Sequence, residues 1–319
     1  MARNLTNRNA LLLSVAALAL CALPAIALAE LCLQTTTWTD TGTGSWFDPT
    51  KWSNGVRNSN KNAFINNGGT ANINSAGAAA CNLILGFEAT ESGTVSVNGG
   101  TLAVDHEVEV GALGKGKLTI TNGGTVTADL ATIAALQGIP ASNGTVTVDG
   151  GTFTINTRAD VGGDNGNQGG VALLSVTNGG SLSAANLRVY PSGTLTGNGT
   201  VSASNETRID GTLDPSGTLS ITGSGGLALQ SGAATLCNVV PGAADNVHVS
   251  AAATLGGRLS VTMTGTFTPG TTYTLLHCDG PRNGTFSSTS ITYPTNQCFT
   301  PVITYDAHNV YLNLLSCAG

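Results

Sequence analysis

The sequence predicts an all-β protein that winds as a right-handed parallel β-helix. One phrase recurs along the chain, each copy alternates apolar and polar residues, and each copy ends at a pair of glycines. A repeat of this kind is the sequence signature of a solenoid. The copies are GTVSVNGGT at 93–101, GKLTITNGGT at 116–125, GTVTVDGGT at 144–152 and ALLSVTNGGS at 172–181.

The spacing of the glycine pairs separates a coil from a series of hairpins. The pairs begin at Gly99, Gly123, Gly150 and Gly179, which gives steps of 24, 27 and 29 residues. Such a step holds three short strands and their turns, whereas hairpins repeat at about 10 residues. We therefore expect equivalent strands of successive windings to stack in parallel, about 4.8 Å apart. A β-sandwich and a β-propeller are the alternatives.

Alternation with a period of two residues predicts which side chains face the interior. In each copy the apolar residues point inward, while Thr, Ser and Asn face water. The same pattern in GTLTGNGTVSASNETRIDGTLDPSGTLSITG, residues 193–223, places Leu195, Leu213 and Leu219 inside. The inward residues of the four copies are Val95, Val97, Leu118, Ile120, Val146, Val148, Leu174 and Val176.

The composition agrees with stacked windings and argues against a nucleic-acid partner. Only 9% of the residues are charged and 41% are hydrophobic. Like charges that stack in register repel one another, so a solenoid uses few of them. The net charge of -6 is the wrong sign for a phosphate backbone.

The first 29 residues are predicted to be a signal peptide. Arg3 and Arg8 precede the apolar run ALLLSVAALALCAL, and ALA at 27–29 forms a small-residue cleavage site. No later stretch is long and apolar enough for a transmembrane helix. We expect an exported protein that is secreted, attached to the cell surface or periplasmic.

The rest of the chain divides into a cap, a repeat region and a second cap. Residues 30–60 form the N-terminal cap, 61–254 the parallel windings and 255–319 the C-terminal end and cap. The first cap contains Trp38, Trp46 and Trp52. They are a candidate surface aromatic cluster for stacking on sugars, but an aromatic plug on the first winding is the favoured interpretation because an open end of a sheet must be covered.

Six cysteines follow the signal peptide, an even number that favours disulfides in an exported chain. Cys278 with Cys298 is the preferred pair because the two are close in sequence, and Cys32 with Cys81 is the second. Zinc is disfavoured because the sequence has no Cys-x-x-Cys motif and its histidines are scattered. They are His106, His248, His277 and His308. The sequence therefore predicts neither a metal site nor a cofactor.

The order of phrases from about residue 190 onward resembles the passenger domains of bacterial autotransporters. The phrases are LTGNGTV (195–201), GTLDPSGTLSITG (211–223), LALQSGAATL (227–236), DNVHVSAAATLGGRLSV (245–261), GTTYTLLHC (270–278), GTFSS (284–288) and VYLNL (310–314), together with GSWFDPTKWSNG near the N-terminus. The resemblance implies a β-helix at the surface of a Gram-negative bacterium. Autotransporters continue into a translocator barrel, which does not follow in this sequence, so we expect another export route or a periplasmic location.

The sequence contains no clear catalytic motif. Glu107 and Glu109 share one face of a strand, and Asp160 and Asp164 lie near Arg158. Paired carboxyl groups can hydrolyse glycosides only if their pKa values are pushed apart, and exposed pairs are usually solvated. We therefore predict a non-catalytic structural or adhesive protein that contacts a glycan, a surface, other proteins or copies of itself. The alternative is an enzyme that degrades polysaccharides.

Overall fold

The computed structural model describes residues 32–55, 58–135, 142–295 and 297–317. The predicted signal peptide, residues 1–29, lies outside these ranges. In the described part of the chain, the helical segment is a single 3-10 turn at Pro49–Lys51, which is far shorter than a membrane span. The remaining regular structure consists of strands.

The chain forms a parallel β-solenoid, as the sequence predicts, and its described residues make up a front sheet of 12 strands and a back sheet of 18. In chain order the described strands are β1 Gln34–Thr37, β2 Thr43–Ser45, β3 Lys61–Ile65, β4 Asn67–Ile73, β5 Ala78–Ala80, β6 Leu83–Leu85, β7 Ser92–Asn98, β8 Thr101–Val104, β9 Glu107–Val110, β10 Lys115–Thr121, β11 Thr125–Ile133, β12 Asn143–Asp149, β13 Thr152–Val161, β14 Gly163–Asp164, β15 Asn167–Gln168, β16 Val171–Thr177, β17 Ser181–Val189, β18 Gly193–Gly197, β19 Thr200–Ile209, β20 Thr212–Pro215, β21 Thr218–Thr222, β22 Leu227–Leu229, β23 Ala234–Val240, β24 Ala243–Ala244, β25 Asn246–Val249, β26 Ala253–Thr254, β27 Arg258–Met263, β28 Thr272–Cys278, β29 Arg282–Asn283, β30 Ser288–Thr292, β31 Phe299–Tyr305 and β32 Asn309–Ser316. The front sheet contains β2, β4, β7, β10, β12, β16, β18, β20, β23, β24, β27 and β30, and β14 and β15 form a separate two-stranded sheet.

The windings stack in register, so each inward residue lies on an inward residue of the next winding. In the front sheet Val97 aligns with Ile120, and Ile120 aligns with Val148. All the apolar residues that the alternation assigns to the interior are fully buried, including Leu195, Leu213 and Leu219. Backbone hydrogen bonds and a shared apolar interior thus join each winding to its neighbours, which is why one winding alone could not be stable.

The glycine pairs form the corners, and the two glycines of a pair have different roles. Gly179 has a φ of 76°, in the left-handed region that favours glycine. Gly180 lies so close to the preceding winding that a Cβ there would be 2.2 Å from the carbonyl oxygen of Val148. The first glycine turns the chain, and the second allows the windings to approach.

The long strands of the back sheet have an irregularity in register partway along, which divides that sheet into two arms. The first part of β11 pairs with β8 and the last part with β9, and a register irregularity lies between Ala128 and Leu130 where β11 pairs with β13. Similar irregularities occur in the pairing of β13 with β17 and of β17 with β19. The strand segments aligned with β8 are called the first arm below, and those aligned with β9 the second arm.

The three tryptophans form a buried plug at the N-terminal end of the solenoid. Trp38, Trp46 and Trp52 are 1%, 0% and 4% exposed. The Trp52 ring meets the other two edge to face, with centroid distances of 4.8 Å to Trp38 and 5.3 Å to Trp46. The candidate surface aromatic cluster is therefore wrong, because buried ring faces cannot stack on a sugar.

The C-terminal end changes from parallel to antiparallel pairing. Strand β32 pairs antiparallel with both β28 and β31. Strands β31 and β32 form a hairpin in which Phe299 is aligned with Ser316. Cys298 precedes Phe299 and Cys317 follows Ser316, so the hairpin brings the two cysteines together and they form a disulfide.

The predicted pairing of Cys278 with Cys298 is wrong, and Cys298 is bonded to Cys317 instead. Cys278 is the last residue of β28, is fully buried, and donates from its thiol to the carbonyl of His308. Closeness in sequence does not decide between the two pairings, because Cys298 is 20 residues from Cys278 (298 − 278) and 19 from Cys317. The antiparallel pairing of β31 with β32 is what brings Cys298 to Cys317. Cys32 is bonded to Cys81, the second pair expected from the sequence.

Candidate functional site

The outward side of the front sheet carries two adjacent columns of short polar side chains. One column contains Thr70, Thr94, Lys117, Thr145, Leu173, Thr194 and Thr212, and the other contains Asn72, Ser96, Thr119, Thr147, Ser175, Thr196 and Asp214. All but Asn72, Lys117, Leu173 and Asp214 end in a hydroxyl group. We call these two columns the hydroxyl face.

The hydroxyl face is a regular array because its strands are parallel and in register. Neighbouring positions along a column are one strand spacing apart, about 4.8 Å, and the two columns lie two residues apart on each strand. Each hydroxyl can both donate and accept a hydrogen bond. The array therefore suits a partner that also presents many neutral polar groups.

The first arm of the back sheet carries a similar column, but its last two positions are different. It begins with six hydroxyl residues and ends with His248 and His277. The hydroxyl residues are Thr101, Thr125, Thr152, Ser181, Thr200 and Ser220. Strand register thus brings together two histidines that are far apart in sequence.

The second arm of the back sheet is charged. One of its columns contains Glu109, Thr132, Asp160, Arg188 and Arg208, and the other contains Glu107, Leu130, Arg158, Asn186 and Glu206. Opposite charges lie side by side in it, and we call it the charged arm. The few charged residues of this chain are thus partly gathered on one surface.

Arg158 holds a small hairpin, β14–β15, against the charged arm. Its Nε donates to Asp160 Oδ2 over 2.5 Å, and its second terminal nitrogen lies 3.3 Å from Asp164 in the hairpin. Asp160 is fully buried and also accepts from the backbone N–H of Asn165. The two aspartates that the sequence places near Arg158 therefore form ion pairs that anchor the hairpin.

Asp210 links two arginines of neighbouring windings. Arg188 Nε lies 3.1 Å from Asp210 Oδ2, and Arg208 donates to both carboxylate oxygens at 3.0 Å. Burial raises the pKa of Asp210, but the hydrogen bonds from the arginines outweigh it and the pKa is lowered overall. The negative charge of Asp210 offsets the repulsion between the two stacked arginines. In addition, the Arg188 guanidinium lies over the Tyr190 ring, 4.3 Å from the ring centroid.

Glu107 and Glu109 lie on one face of β9, as the sequence predicts. Both side chains are half-buried, and Glu107 accepts a 2.6 Å hydrogen bond from the hydroxyl of Thr132 on the next winding. The arrangement is that of polar neighbours on stacked strands.

We expect Asp210→Asn to lower the free energy of unfolding by about 1–3 kcal/mol near pH 7, because two arginines lose a charged acceptor. The pKa of Asp210 is lower in the folded state, so its stabilisation is complete above the ordinary aspartate value of about 4 and disappears as pH falls through the folded value. Urea unfolding of both proteins over this range measures the difference.

Asp105→Asn, a change at an exposed corner, is the control for this series. It should alter stability little at either end of the pH range. A cost of Asp210→Asn that stays the same in acid would contradict the ion-pair explanation.

The sequence did not predict the pairing of His248 with His277. The two residues occupy equivalent positions in DNVHVS and TLLHCD, so an alignment of successive windings would have revealed it. His106 and His308 do not belong to this column.

Comparison of the sequence with models of known protein families and with curated protein sequences finds no match.

Proposed function

We propose that this protein is an exported structural and adhesive β-solenoid without catalytic activity, and that it contacts a glycan, another surface or other proteins through its stacked faces. The hydroxyl face is the single observation that carries the proposal. Weak contacts repeated along a regular array add up to strong attachment when many are made together. A long polar surface on which most side chains are uncharged is suited to this kind of binding.

Two further features support export. The described residues form two disulfides, Cys32–Cys81 and Cys298–Cys317, and such bonds persist in oxidising compartments. The resemblance to autotransporter passengers points in the same direction, toward the surface of a Gram-negative cell. We propose a secreted, surface-attached or periplasmic location on these grounds.

Binding to a glycan array and to insoluble polysaccharides tests the adhesive role. The informative variant is Thr119→Lys with Thr147→Lys, because these residues are stacked neighbours on the hydroxyl face. Two ammonium groups would interrupt the array, and we expect binding to fall about tenfold or more. The matched control is Thr127→Lys with Thr154→Lys, stacked neighbours in the first arm.

The control variant should bind as the original protein does. Loss of binding only in the control would indicate that the contact surface is the first arm. Absence of binding to every glycan and surface tested would contradict adhesion. Release of reducing ends or unsaturated sugars, abolished by Glu107→Gln with Glu109→Gln, would support the polysaccharide-degrading alternative.

A further inference from the structure

Three side chains of the types that can bind a metal ion lie together where the first arm meets the C-terminal cap. His248 is in β25, His277 is in β28 on the next winding, and Asp279 follows β28. Their ligand atoms all lie within 4.8 Å of one another. The side chains are 38%, 45% and 52% exposed, so an ion could reach them from solvent.

The two imidazole rings present the same nitrogen to one carboxylate oxygen. The rings are stacked 5.4 Å apart with an interplanar angle of 6°. Nε2 of His248 and Nε2 of His277 each lie 3.2 Å from Oδ1 of Asp279. Stacking in register therefore converges three ligand atoms from two windings.

A hydrogen-bond chain behind His277 fixes which of its nitrogens carries the proton. Asp306 accepts from the backbone of His308 and from Asn309 and Tyr311, and these bonds lower its pKa to about 2. Asn309 directs its amide nitrogen to that carboxylate at 2.9 Å and 3.0 Å. Its amide oxygen therefore faces His277 Nδ1 at 2.7 Å, and Nδ1 must donate.

This tautomer leaves the neutral His277 ring with a lone pair on Nε2, directed at a carboxylate oxygen 3.2 Å away. Two acceptors at this distance repel unless a positive charge lies between them. A second proton on His277 or a metal ion would supply that charge.

The distances suit zinc. Ligand atoms on a tetrahedral Zn²⁺ with bonds of about 2.0–2.1 Å are roughly 3.3 Å apart. Both nitrogen–oxygen separations in the group are close to that length. Imidazole nitrogens also favour zinc over magnesium or calcium, which prefer oxygen ligands.

We propose that His248, His277 and Asp279 bind one Zn²⁺ ion through His248 Nε2, His277 Nε2 and Asp279 Oδ1. Asn309 and Asp306 orient His277 from behind, as outer groups commonly do for metal-binding histidines. Two histidines and one carboxylate leave at least one position for water or for a donor from another molecule. The ion joins two windings at the start of the C-terminal cap and stabilises that junction. The proposal is independent of the adhesive role.

Zinc titration of the metal-stripped, tag-free protein by calorimetry tests the proposal, with Co²⁺ absorption as a second readout of tetrahedral geometry. We expect one ion per chain and a higher Tm when zinc is present, because an ion that binds only the folded state stabilises it. His277→Gln and Asp279→Asn should each abolish stoichiometric binding. Asn309→Ala should weaken it about 10- to 100-fold.

His106→Gln is the matched control, since it removes an exposed histidine outside the group. It should bind zinc with the original affinity. Circular dichroism checks that every variant is folded. If His277→Gln does not fold, Asp279→Asn provides the test of zinc binding. Absence of binding by the original protein, or equal binding by the His277 and Asp279 variants, would overturn the proposal.

Discussion

Gly197→Ala should lower the free energy of unfolding by about 3–5 kcal/mol, because this glycine combines two constraints. Its φ is 123°, which an L-residue with a side chain rarely adopts. A Cβ there would also lie 1.9 Å from the carbonyl oxygen of Val176, its partner on the preceding winding. That oxygen belongs to the backbone ladder, so it cannot rotate away as a side chain would.

Gly179→Ala measures the cost of a side chain at positive φ where no close contact is present. Gly179 has a φ of 76°, but a Cβ at this corner would meet nothing within 4 Å. We expect it to cost about 1–2 kcal/mol from the backbone conformation alone. Both changes restrict the unfolded chain equally, so that effect cancels in the comparison.

Guanidinium unfolding of the two variants measures the difference between them. Equal losses would mean that close approach of the windings contributes little to stability. The larger loss for Gly197→Ala is expected from two sources, its less favourable φ and its close approach to the backbone of Val176.

The interior of the solenoid could be predicted from sequence because it follows a purely local rule. Alternation with a period of two fixes which side chains of a strand face inward, and the glycine pairs mark where the strand ends. Leu195, Leu213 and Leu219 were assigned to the interior on this basis and are buried. These inferences require no knowledge of which residues of two windings are in contact.

Contacts between windings were harder to predict because the windings differ in length. Thr194 stacks on Thr212, whereas Arg258 stacks on Ser288, so no constant step gives the register. The stacking of His248 on His277 depends on that register. The true partner of Cys298 depends in turn on an antiparallel hairpin, to which the repeat pattern does not extend.

Trp46→Ala should be the most damaging single change in the N-terminal cap. The Trp46 side chain is fully buried, its ring packs on Trp52, and its backbone N–H continues the front sheet by donating to Asn72. Removal of a buried tryptophan side chain costs about 3–5 kcal/mol. The cavity would also loosen the plug that covers the first winding, and an uncovered sheet end can pair with another chain. We expect a lower Tm and concentration-dependent self-association.

Phe87→Ala is the control, because this aromatic side chain is 42% exposed and meets Phe64 edge to face. It should lower the free energy of unfolding by no more than about 1–2 kcal/mol. The association state of the protein should stay as it is in the original. Thermal unfolding followed by circular dichroism gives the stability of each variant, and light scattering over a range of concentrations gives its association. If Trp46→Ala lowered stability without association, the tryptophans would contribute packing alone, and protection of the open end would have to come from other features such as the Cys32–Cys81 disulfide. If both variants lost stability equally, the cap would not depend on the plug.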